Sequence, residues 1–150
     1  MERLIKNGIF DQEYAEKVKF IQEQMKGYFE KVEPKAFLDD LTNKNVVIYR
    51  GKLSGIIDFD TISFGDRLSW LGLTCLAFEE LGNSSYGEYL FNFLGYKNED
   101  KKILNFYRLL YILEFMSEQG EKFNKNKINL DSIRIERLKK LFGKYYKLIN

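Results

Sequence analysis

Three oxygen-bearing side chains stand at spacings that suit chemistry. The stretch Leu38-Asp39-Asp40-Leu41-Thr42-Asn43-Lys44-Asn45 puts an asparagine five positions after Asp40, directly ahead of the β-branched run Val46-Val47-Ile48. Some ten residues on comes Ile56-Ile57-Asp58-Phe59-Asp60. A hairpin between the two would gather Asp40, Asn45 and Asp58 at one end. A carboxylate can orient a hydroxyl and accept its proton, while an amide oxygen and a second carboxylate can hold magnesium on nucleotide phosphates. Magnesium keeps its waters and phosphates, so two protein oxygens are enough. Such a set suits phosphoryl transfer, where a protein mainly positions groups and neutralises charge.

Composition narrows the alternatives. The chain has no histidine, which removes histidine general bases, Ser/His and Cys/His nucleophilic machinery and histidine-containing zinc sites. Its single cysteine, Cys75, cannot form an internal disulfide and lies in an apolar stretch, which fits an inert core thiol and a reducing, cytoplasmic setting. No apolar run approaches the roughly 20 residues that span a bilayer, and Met1 to Phe10 carries no signal-peptide core, so no membrane role is expected. At 150 residues and 45% hydrophobic, with one proline, the chain is expected to form one packed, helix-rich domain over residues 1–150.

The formal charge of +2 is unevenly spread. The last third carries Arg134, Arg137, Lys139, Lys140, Lys144 and Lys147, interleaved at helical spacing with Leu138, Leu141, Phe142, Tyr145 and Leu148. That pattern reads as an amphipathic helix with a solvated face rather than a nucleic-acid surface. The middle is acidic, and its acidic part coincides with the motifs above.

The elements that must position the site follow from periodicity. From Asp11 as N-cap, Tyr14, Val18, Ile21, Met25, Phe29 and Val32 recur every three or four residues, predicting one long helix closed by Pro34. Val46 to Tyr49 and Leu53 to Phe59 predict two strands about a turn at Arg50-Gly51-Lys52. Helices are expected from after Gly65 to Leu81 with Gly82 as stop, over Tyr86 to Leu94, over Ile103 to Met116 starting near Asn98, and over Ile133 to Ile149 after Asp131. The expected fold is α+β and mostly helical: a long N-terminal helix, a β-hairpin and about four following helices.

These motifs resemble the aminoglycoside phosphotransferase and choline kinase-like family, relatives of the protein kinases. Protein kinases place an Asn five positions after the Asp of His-Arg-Asp and an Asp-Phe-Gly after a hairpin. The aminoglycoside kinases use a His-Gly-Asp-Leu version, then Ile-Asp-Phe or Ile-Asp-Trp, then Gly-Asp. Asp40-Leu41, Asn45, Ile57-Asp58-Phe59 and Gly65-Asp66 match in order and interval. The resemblance, firm over Phe37 to Cys75, implies a kinase-like C-terminal lobe, with Asp40 as catalytic base and Asn45 and Asp58 as magnesium ligands on ATP or another nucleoside triphosphate. Phosphate would pass to a hydroxyl of a small molecule. Leu38 stands where the family has its histidine, which is usually structural. Nothing ahead of Glu13 resembles a glycine-rich loop or the strand lysine, so a separate N-terminal nucleotide-binding lobe is expected as a partner. The alternative is a truncated or degenerate lobe serving as a non-catalytic binding or structural module.

Several neighbours have plainer readings. Asp60 stands where protein kinases have the glycine of their metal-binding loop; a role behind the ligands and a helix-capping role are both open. Asp66 is expected to be structural, bonding the catalytic-loop backbone in the manner of kinases. Lys44 and Thr42 read as a solvated lysine and a backbone-bonded hydroxyl. Trp70, Phe59 and Phe64 read as core aromatics. Glu114 and Glu118, one helical turn apart, could meet the ammonium groups of a cationic substrate, although the wet face of an amphipathic helix is the preferred account.

Overall fold

Helix α1 (Gln12–Gln24) buries Val18 and Ile21 along the expected stripe. In this computed structural model the described residues are 8–9, 12–38, 45–58, 62–119, 122–123, 126–127 and 130–150, so the proposed cap Asp11 lies outside them. The single long helix expected here is broken. The Met25 N–H is shared between the Ile21 and Gln22 carbonyls at 3.2 and 3.1 Å, a 3₁₀-type tightening, and one further turn, α2 (Lys26–Phe29), follows. Gly27 in that turn weakens helix propagation, while burial of Met25 holds the tightened geometry in the core.

After Pro34 come four short strands, β1 (Lys35–Leu38), β2 (Val46–Tyr49), β3 (Lys52–Ile56) and β4 (Ile62–Gly65). β2 and β3 form the expected hairpin, shorter than anticipated because β3 ends at Ile56 rather than Phe59. Its turn is the two-residue Arg50-Gly51, both at positive φ (50° and 74°), the primed turn whose twist matches a right-handed ribbon. Unanticipated was the outer pair. β1 and β4 run antiparallel with Lys35 opposite Gly65 and Leu38 opposite Ile62, so the hairpin is nested between two strands that pair with each other.

Helices α3 (Arg67–Glu80), α4 (Ser84–Phe93), α5 (Lys101–Ser117) and α6 (Ser132–Ile149) follow as expected. A 3₁₀ turn over Asn98–Asp100 leads into α5, and the two-residue strands β5 (Lys122–Phe123) and β6 (Asn126–Lys127) lie between α5 and α6. α3 ends where Gly82 adopts φ +81°: Asn83 N–H reaches the Phe78 carbonyl at 2.8 Å and Gly82 N–H the Glu79 carbonyl at 3.0 Å, a Schellman motif. Asp131 caps α6 by accepting from Arg134 N–H at 2.9 Å. The chain is thus α+β and mostly helical.

One core joins α1, α3, α4, α5 and α6 through Ile21, Leu71, Leu76, Phe91, Leu104, Leu109, Ile112, Met116, Leu138 and Phe142. α3 and α5 approach so closely that a Cβ on Gly72 would lie 2.9 Å from Tyr107 Cβ. Cys75 is buried there, and burial pushes its thiol pKa up, as befits an inert core residue. Three cations of α6 are engaged by α3: Arg134 grips Glu80 at 3.1 and 2.7 Å, Arg137 reaches the same carboxylate at 3.4 Å, and Lys144 meets Glu79 at 2.7 Å. Among the described residues no helix is long and apolar enough to cross a membrane.

Candidate functional site

The four strands place the ends of the hairpin side by side. Val46 pairs with Ile56 at its base, and one further bond, Ile57 N–H to the Asn45 carbonyl at 2.9 Å, extends the ladder outward. That bond fixes Asn45 beside Ile57, and Asp58 is the next residue. The pair Leu38–Ile62 closes the outer strands. The segment 39–44 therefore leaves from Leu38 and returns at Asn45, while 59–61 runs from Asp58 to Ile62. Of the three residues singled out in the sequence, Asn45 and Asp58 stand at the two sides of the hairpin's base, the Asn45 carbonyl bonded to the residue before Asp58; Asp40 lies outside the described residues, as do Thr42, Lys44, Phe59 and Asp60.

Asn45 and Asp58 differ in setting. Asn45 is buried, only 8% exposed, which is unusual for an amide. Asp58 is exposed and adopts a left-handed backbone, φ 65°. The strand expected to run through Asp58 to Phe59 stops two residues before Asp58, at Ile56, so Asp58 follows the strand and is exposed. The left-handed turn is the more telling feature. For a residue other than glycine it costs on the order of 1–2 kcal/mol, and aspartate accepts it more readily than most. Residues held this way cluster where a side chain must be aimed.

A pair of oxygen donors of this kind, one amide and one carboxylate, is hard-ligand chemistry that suits magnesium. Among the described residues no group of three or more Cys, Asp or Glu side chains is placed to hold a metal ion. Asn45 and Asp58 are the described residues at the hairpin base whose side-chain oxygens have that chemistry.

Asp66 anchors the next element, in a way the sequence did not reveal. Its Oδ1 accepts from Leu68 N–H at 2.9 Å, capping α3, and its Oδ2 accepts from the hydroxyls of Tyr28 at 2.7 Å and Tyr107 at 3.0 Å. One carboxylate thus ties α2, α3 and α5 together immediately after β4. Burial, reinforced by the Asp66 carboxylate, pushes the pKa of both tyrosines well above the usual phenol value. Asp66 is structural, as expected, and its described partners are this cap and these hydroxyls. Beside it, the hydroxyls of Ser69 and Tyr111 share a hydrogen bond of 2.9 Å. Tyr28 and Tyr107 lie 38 and 41 positions from Asp66, so no local spacing marks them as its partners.

Against β1 and the start of α3 lies an open pocket of about 470 Å³ bounded by Lys35, Ala36, Phe37, Leu38, Arg67 and Trp70. Trp70 is half-buried, whereas Phe64, expected in the core, is 76% exposed because strand alternation turns Ser63 inward and Phe64 outward. Glu114 and Glu118 both face solvent, in keeping with the wet-face account; partial burial and then the charge of Glu114 raise the pKa of Glu118.

No family model matches this chain, and neither a curated protein nor a solved structure matches it.

Proposed function

We propose that this chain is the catalytic lobe of a phosphotransferase that uses magnesium and a nucleoside triphosphate to phosphorylate a hydroxyl of a small molecule. The observation that supports the proposal is the junction at the base of the hairpin: the Asn45 carbonyl is bonded to the N–H of Ile57, the residue before Asp58, and Asp58 sits in a left-handed turn. The motif resemblance over Phe37 to Cys75 supports it.

In this reading Asn45 and Asp58 hold the metal, which when bound neutralises charge on the transferring phosphates. Asp40, two positions beyond Leu38 at the end of β1, orients the acceptor hydroxyl and takes its proton. The cap and two tyrosine bonds on Asp66 brace β4 and α3 behind the site. A nucleotide-gripping partner lobe completes the phosphate cradle. The pocket beside β1 has the volume of a small-molecule site.

Titration calorimetry with magnesium and ATP tests this on the chain itself and on Asp58→Asn. Binding that is measurable in the parent and weakened at least about tenfold in the variant, a change of ~1.4 kcal/mol, is the expected result. Equal binding by both chains would remove Asp58 from the metal site. The non-catalytic module is a second reading, favoured by one observation: the hairpin is apolar and uncovered, as a binding surface would be. Absence of any nucleotide binding, with or without a partner lobe, would favour it.

A further inference from the structure

Between α3, α4, α5 and α6 lies a buried charge that the proposed chemistry does not use. Arg108 on α5 is 8% exposed, and its Nε has no hydrogen-bond partner. Its Nη1 donates to Asn105 Oδ1 at 3.2 Å, and its guanidinium lies over the Tyr145 ring at 4.9 Å. Among the described residues no carboxylate pairs with it: Glu79 is taken by Lys144 and the Tyr145 hydroxyl, Glu80 by Arg134 and Arg137, and Glu88 by Lys101. A guanidinium held out of water with a donor left unbonded is costly, and a cation of this kind draws a neighbouring thiol toward thiolate. That neighbour is Cys75 on α3, itself fully buried.

Cys75 and Arg108 share one cover. A Cβ built on Gly87 of α4 would stand 2.9 Å from Cys75 Sγ and 3.5 Å from Arg108 Nη2, so the α4 backbone sits directly on both. The cover is lightly held. In α4 only Gly87 and Phe91 are buried, its ion pair of Glu88 with Lys101 at 3.3 Å is exposed, and a helix of 10 residues has little stability of its own. α3, α5 and α6 are clamped instead by the close approach of Gly72 to Tyr107 and by the ion pairs of Glu79 and Glu80. Elements with few buried contacts open first.

Lifting α4 reverses the balance at the thiol. The groups facing Cys75 are Arg108 of α5, Glu88 of α4, Glu79 one turn along α3 and the Tyr145 hydroxyl of α6. Burial raises the thiol pKa most and Glu88 adds to it; both effects leave with α4, whereas Arg108, which acts the other way, stays on α5. We propose that Cys75 is a modification site gated by α4: when this helix lifts, the thiolate beside Arg108 exchanges with a small disulfide, and the adduct then holds α4 open. In the exchange the Cys75 proton goes to solvent, Sγ bonds to one sulfur of the disulfide, and the other sulfur leaves as thiolate with the electron pair of the broken S–S bond. The space between Sγ and Gly87 does not admit even a Cβ without a shift, so an attached sulfur keeps α4 from reclosing. A thiol reductant reverses the step. This inference does not depend on the phosphotransferase reading.

Cys75 is the chain's single thiol, so glutathione disulfide added to the full chain, with the adduct followed by intact mass, reports on it alone. Modification should proceed at least about tenfold faster than global unfolding measured in urea allows, and with a shallower urea dependence. Hydrogen exchange on the adduct should show amides 84–93 losing protection while α3, α5 and α6 keep theirs, and dithiothreitol should restore it. The pH midpoint of the rate should lie below the ordinary thiol value of about 8.5, rise to it in Arg108→Gln and stay low in Arg108→Lys. Gly87→Ala, which crowds Sγ, should speed modification at least about tenfold. Should that variant misfold, Phe91→Leu must still speed it several-fold. Modification that keeps the rate and urea dependence of global unfolding would overturn the proposal. So would an adduct in which every helix loses protection alike, or a folded Arg108→Gln with the parent's pH midpoint.

Discussion

Replacing Asp66 with alanine removes three bonds at one carboxylate: the cap on Leu68 N–H and the hydroxyls of Tyr28 and Tyr107. Loss of an aspartate cap costs about 1 kcal/mol. Hydrogen bonds to a charged acceptor contribute about 1.5–3 kcal/mol each, and since Tyr28 and Tyr107 are only half-buried, their hydroxyls can regain water and the lower figure applies. The expected loss for Asp66→Ala is therefore about 3–4 kcal/mol, a large part of a typical domain's stability of about 5–15 kcal/mol. Urea unfolding followed by circular dichroism measures it, with an unchanged m-value showing that the unfolded state is unaffected. Asp66→Asn keeps an acceptor for the cap and loses the charge, so it should cost about half as much. A double-mutant cycle of Asp66→Ala with Tyr107→Phe should show coupling of about 1 kcal/mol. Loss below ~1 kcal/mol for Asp66→Ala would refute the idea that this carboxylate joins α2, α3 and α5.

Gly72→Ala gains up to about 1 kcal/mol of helix propensity but drives a Cβ into Tyr107, so a net loss of about 1–2 kcal/mol in thermal unfolding is expected; a gain would mean α3 and α5 separate easily. Stability should fall steeply above pH 10. Tyr28, Tyr107 and Tyr145 all have pKa values raised above the ordinary 10, so the folded chain keeps protons that the unfolded chain releases, and ΔG of unfolding falls as the pH rises past 10. Below pH 10 these groups have no such effect; a flat alkaline limb in denaturant melts at successive pH values would contradict the burial of these hydroxyls. Glu80→Ala removes the two-pronged contact with Arg134 and should cost about 1–2 kcal/mol by chemical denaturation, whereas an unchanged midpoint would make the α3–α6 ion pairs ornamental.

Much of the helical scaffold could be read from spacing, because each helix has a local signature. Asp131 caps and Gly82 stops through interactions within a few residues, and the apolar stripes of α3, α5 and α6 repeat on their own. The β1–β4 pair was invisible for the opposite reason: four residues beside Pro34 meet four others far along the chain, Lys35 opposite Gly65 and Leu38 opposite Ile62, and no local pattern records such a pairing. The break at Met25 likewise depends on what that side chain packs against. At the site, the hairpin between Asn45 and Asp58 was legible in the spacing, and the two-residue turn at Arg50-Gly51 fixes its register. The setting of Asp58 was not foretold. Whether a carboxylate past a strand end is buried or wet depends on where the strand stops, and the apolar run continues through Ile57 without marking the end at Ile56.

Paramagnetic manganese, a magnesium surrogate, would report most directly on the base of the hairpin. With manganese titrated into isotopically labelled chain together with ATP, the amide resonances of Asn45, Ile57 and Asp58 should broaden first, and Asp58→Asn should abolish the effect. Broadening confined to the exposed carboxylates of α5, or identical in parent and variant, would contradict a metal held between Asn45 and Asp58.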